Sequence, residues 1–60
     1  MNNQELKTYE AQVKQRLAEA FGMSEEAANK VVDMVASFHT TRGGALYRID
    51  DYLWNNNLVK

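Results

Sequence analysis

Residues 17–38, LAEAFGMSEEAANKVVDMVASF, decide the fold of this chain. In this stretch one amphipathic pattern ends at Gly22, and a second begins directly after Ser24. Glycine adopts the left-handed conformation that often ends a helix, and serine is a preferred N-cap. Glu25 and Glu26 follow in the first turn, where the helix dipole favours acids. The stretch therefore predicts two helices joined by a tight turn.

Upstream of Gly22, apolar residues recur every three or four positions, which is the periodicity of an amphipathic helix. The helix is expected from about Glu5, with Asn2 or Asn3 as its cap. Glu10 and Lys14 are four residues apart and favour it as an ion pair. The apolar stripe consists of Leu6, Tyr9, Val13, Leu17, Ala20 and Phe21.

Downstream of Ser24, the second helix is expected to fade at residues 39–41. Ala28 and Val32 broaden its stripe, so the helix is apolar on two sides and needs more than one neighbour to cover it. We expect Val31 to be buried in the core. The stripe itself consists of Ala27, Val31, Met34, Val35 and Phe38.

The last segment has a helical and a strand interpretation. Gly43-Gly44 is expected to break the chain, after which Leu46, Ile49 and Leu53 recur with helical spacing, with Ala45 and Tyr52 beside them. A short strand over residues 45–49 is the alternative, since a glycine pair opens a strand as readily. Leu58 and Val59 are expected to fold back as an apolar tail.

These patterns predict one all-α domain over residues 1–60. A helical hairpin over residues 4–40 is closed by a short third helix, and dimerisation would complete the bundle. The alternative is two helices plus a short strand after Gly43-Gly44. Self-association is expected because 60 residues form a thin core and the sequence has no cysteine for a disulfide.

Composition excludes several classes of function. Seven basic and eight acidic side chains give a net charge of −1, without the basic cluster of a nucleic-acid-binding protein. A single histidine and no cysteine leave no Cys/His zinc set, so no metal or cofactor is expected. The sequence shows no membrane span and no signal peptide, which predicts a cytoplasmic protein. Ser24, Ser37, His39 and Asp50 have simpler structural roles than a catalytic triad, with Ser24 as a cap and the Asp50-Asp51 pair facing solvent, so we expect no enzyme.

Three aromatic residues in eight positions are the most informative feature for function. Tyr47, Tyr52 and Trp54 exceed what one helix face can bury in so small a domain, and such residues are typical interface anchors. With Leu46, Ile49 and Leu53 inside, a helix places the rings on other faces. The expected partner-binding residues are Tyr47, Arg48, Asp51, Tyr52 and Trp54.

The spacing of Ala18, Gly22, Ser24 and Val31 resembles the core of a helix-turn-helix, in which a small residue four positions before the turn glycine lets the two helices cross closely. An ordinary corner of two helices joined at a glycine is the alternative, and the sequence favours it. The outward positions of the second helix would carry more acid than base, and this repels phosphate. Those positions are Glu25, Glu26, Asn29, Lys30 and Asp33.

Residues 21–24, the pair Val31-Val32, Gly43-Gly44 and Tyr47 together resemble the N-terminal module of the Mor family of phage transcription activators. That resemblance implies a dimerisation module with a short tyrosine-containing strand after the glycine pair. Arg48 follows Tyr47 where the family has Tyr-Ile-Pro. The segment over residues 43–56 is similar to the third helix of ubiquitin-associated-type domains.

These observations predict a small non-enzymatic protein-interaction module, regulatory or inhibitory and of phage or mobile-element type. Its expected partners are another protein and a second copy of the chain, as a homodimer. The alternative is a dimeric helix-turn-helix-like DNA-binding transcription regulator.

Overall fold

The computed structural model describes residues 2–59, which form three helices. They are α1 (Asn3–Phe21), α2 (Glu25–Ala36) and α3 (Arg42–Asn55), and each packs against the other two. The all-α bundle is therefore confirmed. The alternative strand over residues 45–49 is wrong, because these residues lie inside α3.

Local chemistry sets the ends of the first hairpin as expected. The Oδ1 atom of Asn2 accepts a hydrogen bond from the Glu5 N–H at 2.8 Å and caps α1. Gly22 has a φ of 65°, and its N–H bonds the Ala18 carbonyl, which ends α1. The Ser24 hydroxyl then accepts from the Ala27 N–H at 3.2 Å and starts α2. Two residues thus separate the turn glycine from the next helix.

The expected break at Gly43-Gly44 is wrong, because both glycines lie in the first turn of α3. The Thr41 hydroxyl accepts a hydrogen bond from the Gly44 N–H at 3.1 Å and so caps the helix two residues earlier. The chain instead turns over residues 37–41, after α2 ends. A side-chain cap at Thr41 therefore overrides the low helix propensity of the glycines.

The core lies where the three helices meet, and α3 contributes half of it. Leu46 and Leu53 are the largest side chains that are fully buried. The opposite side of α3 faces solvent. The buried apolar residues are Val13, Leu17, Ala28, Val32, Ala45, Leu46, Ile49 and Leu53.

The expected core face of α2 is rotated in the structure. Val32 is fully buried, whereas Val31 is half-buried and only borders the core. Met34 and Phe38 are 62% and 84% exposed, so the expectation that they belong to the core is wrong. Adjacent residues of a helix point about 100° apart, and a helix with apolar residues on both sides does not indicate which side its neighbours cover. Phe38 also lies beyond the end of α2 at Ala36.

The C-terminal tail folds back onto the core, as expected. Asn57 has a φ of 57°, which ends the helical path, and the Leu58 N–H bonds the Leu53 carbonyl at 2.9 Å. Leu58 and Val59 then pack against the core.

The rotated face of α2 gives a prediction about two adjacent valines. Val32→Asp should abolish the cooperative thermal transition, because an unpaired buried charge costs about 3–5 kcal/mol and a core this small supplies no more. Val31→Asp, with its side chain at the edge of the core, should still melt cooperatively at a lower temperature. Circular dichroism melts of the two variants provide the measurement. The reverse order of stability would contradict the orientation of α2.

Candidate functional site

The outer side of α3 carries its three aromatic side chains. Tyr47, Tyr52 and Trp54 are 69%, 55% and 50% exposed, although the helix buries four residues on its other side. Tyr47, Asp51 and Trp54 follow one another at i, i+4 and i+7, which places them along one line of the helix. The structure therefore has the expected partner-binding residues on the exposed part of α3.

A groove between α1 and α3 brings part of this set together. Its volume is about 140 Å³. Tyr47, Asp51 and Trp54 contribute one wall, while Arg48 and Tyr52 lie outside it on the exposed flank of α3. The groove is lined by Tyr9, Tyr47, Asp50, Asp51 and Trp54, and we call it the aromatic groove.

Asp50 anchors the aromatic groove to α1. Its Oδ2 accepts a hydrogen bond from the Tyr9 hydroxyl at 2.9 Å, and its Oδ1 pairs with Nη1 of Arg16 at 3.0 Å. Both carboxylate oxygens are thus bound to α1. The expectation that Asp50 and Asp51 both face solvent is wrong for Asp50, which is half-buried.

Arg16 also contacts the indole of Trp54. Its guanidinium carbon lies 5.7 Å from the ring centroid, within the range of a cation–π interaction. Asp50 and Trp54 are four residues apart on α3, so one arginine binds both. This contact positions the Trp54 indole against α1, and half of the Trp54 surface stays exposed.

The same environment raises the pKa of the Tyr9 hydroxyl to about 12. Burial is the largest cause, followed by the hydrogen bond to Asp50 and the negative charge of that carboxylate. Arg16 opposes the shift, because a positive charge favours the phenolate. Tyr9 is therefore a neutral hydrogen-bond donor at physiological pH.

A second polar network joins all three helices at the start of α3. Arg42 pairs with Glu10 of α1 and, at 2.9 Å, with Asp33 of α2, and Lys14 pairs with Glu10 at 2.8 Å. The expected Glu10–Lys14 pair is thus confirmed. The Arg42 hydrogen bond is the main reason that the pKa of the Glu10 carboxyl is lowered, and burial opposes it. Exposed ion pairs contribute at most about 1 kcal/mol each, so this network orients the helices more than it stabilises them.

Other features of the described chain supply no further chemistry. His39 is exposed beyond the end of α2. Across residues 2–59, no cluster of three or more His, Cys, Asp or Glu side chains could hold a metal ion. Within the same range, no helix is long and apolar enough to cross a membrane.

Neither Tyr9 nor Arg16 was expected at this site from the sequence. The periodicity of α1 assigns Tyr9 to the apolar stripe and gives Arg16 no role. Their spacing of seven places them on one side of α1, as the spacing of four does for Asp50 and Trp54 on α3. The sequence does not show that these two sides meet.

Comparison of the chain with models of protein families, with curated proteins and with solved structures finds no match.

The raised pKa of Tyr9 gives a prediction about stability at high pH. Because folding raises this pKa from 10.0 to about 12, the Tyr9 contribution is fully present below pH 10 and is lost as the pH rises toward 12. Tyr9→Phe should cost about 0.5–1.5 kcal/mol near neutral pH, because Asp50 loses a donor. The difference in free energy of unfolding between the parent and Tyr9→Phe should become smaller above pH 10.

Urea unfolding of the parent and of Tyr9→Phe across this pH range provides the measurement. Tyr52→Phe, at an exposed tyrosine outside the groove, is the control and should follow the parent. A Tyr9→Phe cost that stays constant with pH would contradict the hydrogen bond to Asp50.

Proposed function

We propose that this chain is a small, non-enzymatic protein-interaction module that binds a protein partner through the outer side of α3. The exposure of Tyr47, Tyr52 and Trp54 is the observation that carries this proposal. These three aromatic side chains are exposed to solvent on a helix whose opposite side packs into the core. We call the binding residues the α3 surface, and they are Tyr47, Arg48, Asp51, Tyr52 and Trp54.

The chemistry of the α3 surface suits a binding hot spot. Tyrosine and tryptophan bury a large area while few side-chain torsions are immobilised, and they dominate the energetics of many interfaces. Arg48 and Asp51 lie among the rings and supply polar contacts of both signs, as an interface rim does. A partner that covers the rings gains free energy from apolar area that folding leaves exposed.

The biological setting is part of the same proposal. A regulatory or inhibitory role of phage or mobile-element type is the setting that suits an exposed aromatic surface on so small a domain. The resemblance to the Mor dimerisation module lends it little support, because Tyr47 lies in α3 and not in the strand that the resemblance implies. The absence of cysteine from the sequence is compatible with a cytoplasmic location. The alternative of a DNA-binding regulator finds little support, because Glu25, Glu26 and Asp33 are exposed on α2 beside Lys30.

A homodimer is the second part of the proposal, and it is supported by α2. Met34 and Phe38 stand largely in solvent, and Val31 and Val35 are only half-buried. Val31, Met34 and Val35 lie along one flank of α2, and Phe38 follows just beyond its end, so a second copy could cover this apolar strip. A chain of this length gains stability from such an association.

Sedimentation equilibrium at micromolar concentration tests the dimer. We expect a species of twice the 6.9 kDa chain mass. Met34→Lys should shift it toward the monomer, because a charge would enter the apolar contact. Lys7→Glu, at an exposed position of α1, is the control and should leave the dimer intact. A species of 6.9 kDa at all concentrations would contradict the dimer.

Alanine variants test the α3 surface. Trp54→Ala and Tyr47→Ala should each weaken partner binding by about 1–2 kcal/mol or more, as hot-spot truncations do. Their cost in folding stability should be far smaller than that of Leu53→Ala, for which a buried leucine implies about 2–5 kcal/mol.

The measurements are affinity capture of a partner with the parent chain, calorimetric titration of the isolated partner, and urea unfolding of each variant. Lys30→Ala, at an exposed position of α2, is the control and should bind like the parent. If Trp54→Ala unfolds the domain as severely as Leu53→Ala, the ring belongs to the core and the proposed surface is wrong.

A further inference from the structure

We infer that the aromatic groove receives an arginine side chain of the protein partner. The inference rests on the proposed function, since it names the group that the α3 surface recognises. Three rings and two carboxylates meet in the groove, and this combination is attractive to a planar cation. The face of each ring is electron-rich, and a carboxylate forms paired hydrogen bonds with a guanidinium.

The distribution of charge in the groove favours an added cation. Asp50 is already neutralised by Arg16 and takes a further hydrogen bond from Tyr9. Asp51 accepts a hydrogen bond from the neutral Asn55 amide at 3.2 Å, and none of the four ion pairs within residues 2–59 includes it. Asp51 is therefore the groove carboxylate without an ion-pair partner in the described structure, and a positive group from outside complements it. Arg48, three residues earlier on α3, is exposed and does not line the groove.

Arg16 shows that these walls accept a guanidinium. It pairs with the Asp50 carboxylate at 3.0 Å while its guanidinium carbon lies 5.7 Å from the Trp54 ring centroid. Asp51 and Tyr47 offer the same pair of groups, a carboxylate and an aromatic ring, four residues apart on the exposed side of α3. An arginine from a partner would contact Asp51 and Tyr47 as Arg16 contacts Asp50 and Trp54, although the ring precedes the carboxylate in the first pair and follows it in the second.

The size of the groove limits what it can hold. A volume of 140 Å³ is smaller than the about 300–1,000 Å³ of pockets for drug-sized ligands. It suits the end of one side chain whose backbone stays outside, against the exposed rings of Tyr47 and Trp54. This size fits the occupant that we infer, one side chain of a protein partner.

A pair of matched peptides tests the inference on the full chain labelled with ¹⁵N. The probes are acetyl-Gly-Arg-Gly-amide and acetyl-Gly-citrulline-Gly-amide, which differ in charge but hardly in shape. Trp54 is the single tryptophan, so its indole N–H gives one resolved signal at the groove. At constant ionic strength, the arginine peptide should shift this signal in a saturable manner with millimolar or weaker affinity, and the citrulline peptide should not.

Two carboxylate variants complete the experiment. Asp51→Asn should weaken binding of the arginine peptide about two- to five-fold, the range of one exposed ion pair. Glu26→Gln removes the same charge from an exposed position on α2 and should leave the affinity unchanged. Equal shifts with both peptides, no shift with either, or equal affinities of the parent and Asp51→Asn would overturn the inference.

Failure of the inference and failure of the proposed function give different results. If the arginine peptide leaves the indole signal unmoved while Trp54→Ala and Tyr47→Ala still weaken a protein partner, the α3 surface stands and its arginine preference is wrong. If neither alanine variant affects that partner, the α3 surface itself is wrong.

Discussion

One-sided burial of α3 is the constraint on which the rest of the structure depends. Leu46, Ile49 and Leu53 fill the space where the three helices meet, so one side of α3 holds the core together. Both neighbouring helices lie on that side, and within residues 2–59 only the edge of the other side is covered, where Arg16 of α1 contacts Trp54. Tyr47 and Trp54 therefore remain in solvent despite their apolar area. The proposed interface is thus a consequence of how little surface three short helices can cover.

The helices themselves follow largely from local sequence. Gly22 and Ser24 end one helix and start the next through their own backbone and side-chain bonds, and such signals lie within a few residues. At the start of α3 two local signals compete, and the cap at Thr41 prevails over the break that the glycines predict. The choice between Val31 and Val32 as the core residue depends on where the neighbouring helices sit, which no local pattern encodes.

For the same reason, the sequence predicts only one of the two walls of the aromatic groove. The helical period placed Tyr47 and Trp54 on an exposed face, but the opposite wall of the groove comes from α1. The hydrogen bond between Tyr9 and Asp50 spans 41 positions, and it depends on the register of α3 against α1. That register is held at two points, because Arg42 at the start of α3 and Asp50 two turns later both bind side chains of α1. The spacing of residues within one helix does not indicate how that helix is aligned against a neighbouring helix.

The accessibility of Trp54 in the folded protein tests the central claim most directly. Acrylamide quenching and emission of this single tryptophan should be followed through urea unfolding, with circular dichroism on the same samples. We predict ready quenching in the native state and an emission that changes little while the helical signal is lost. A shielded, blue-shifted native emission that moves sharply on unfolding would place Trp54 in the core and contradict the account.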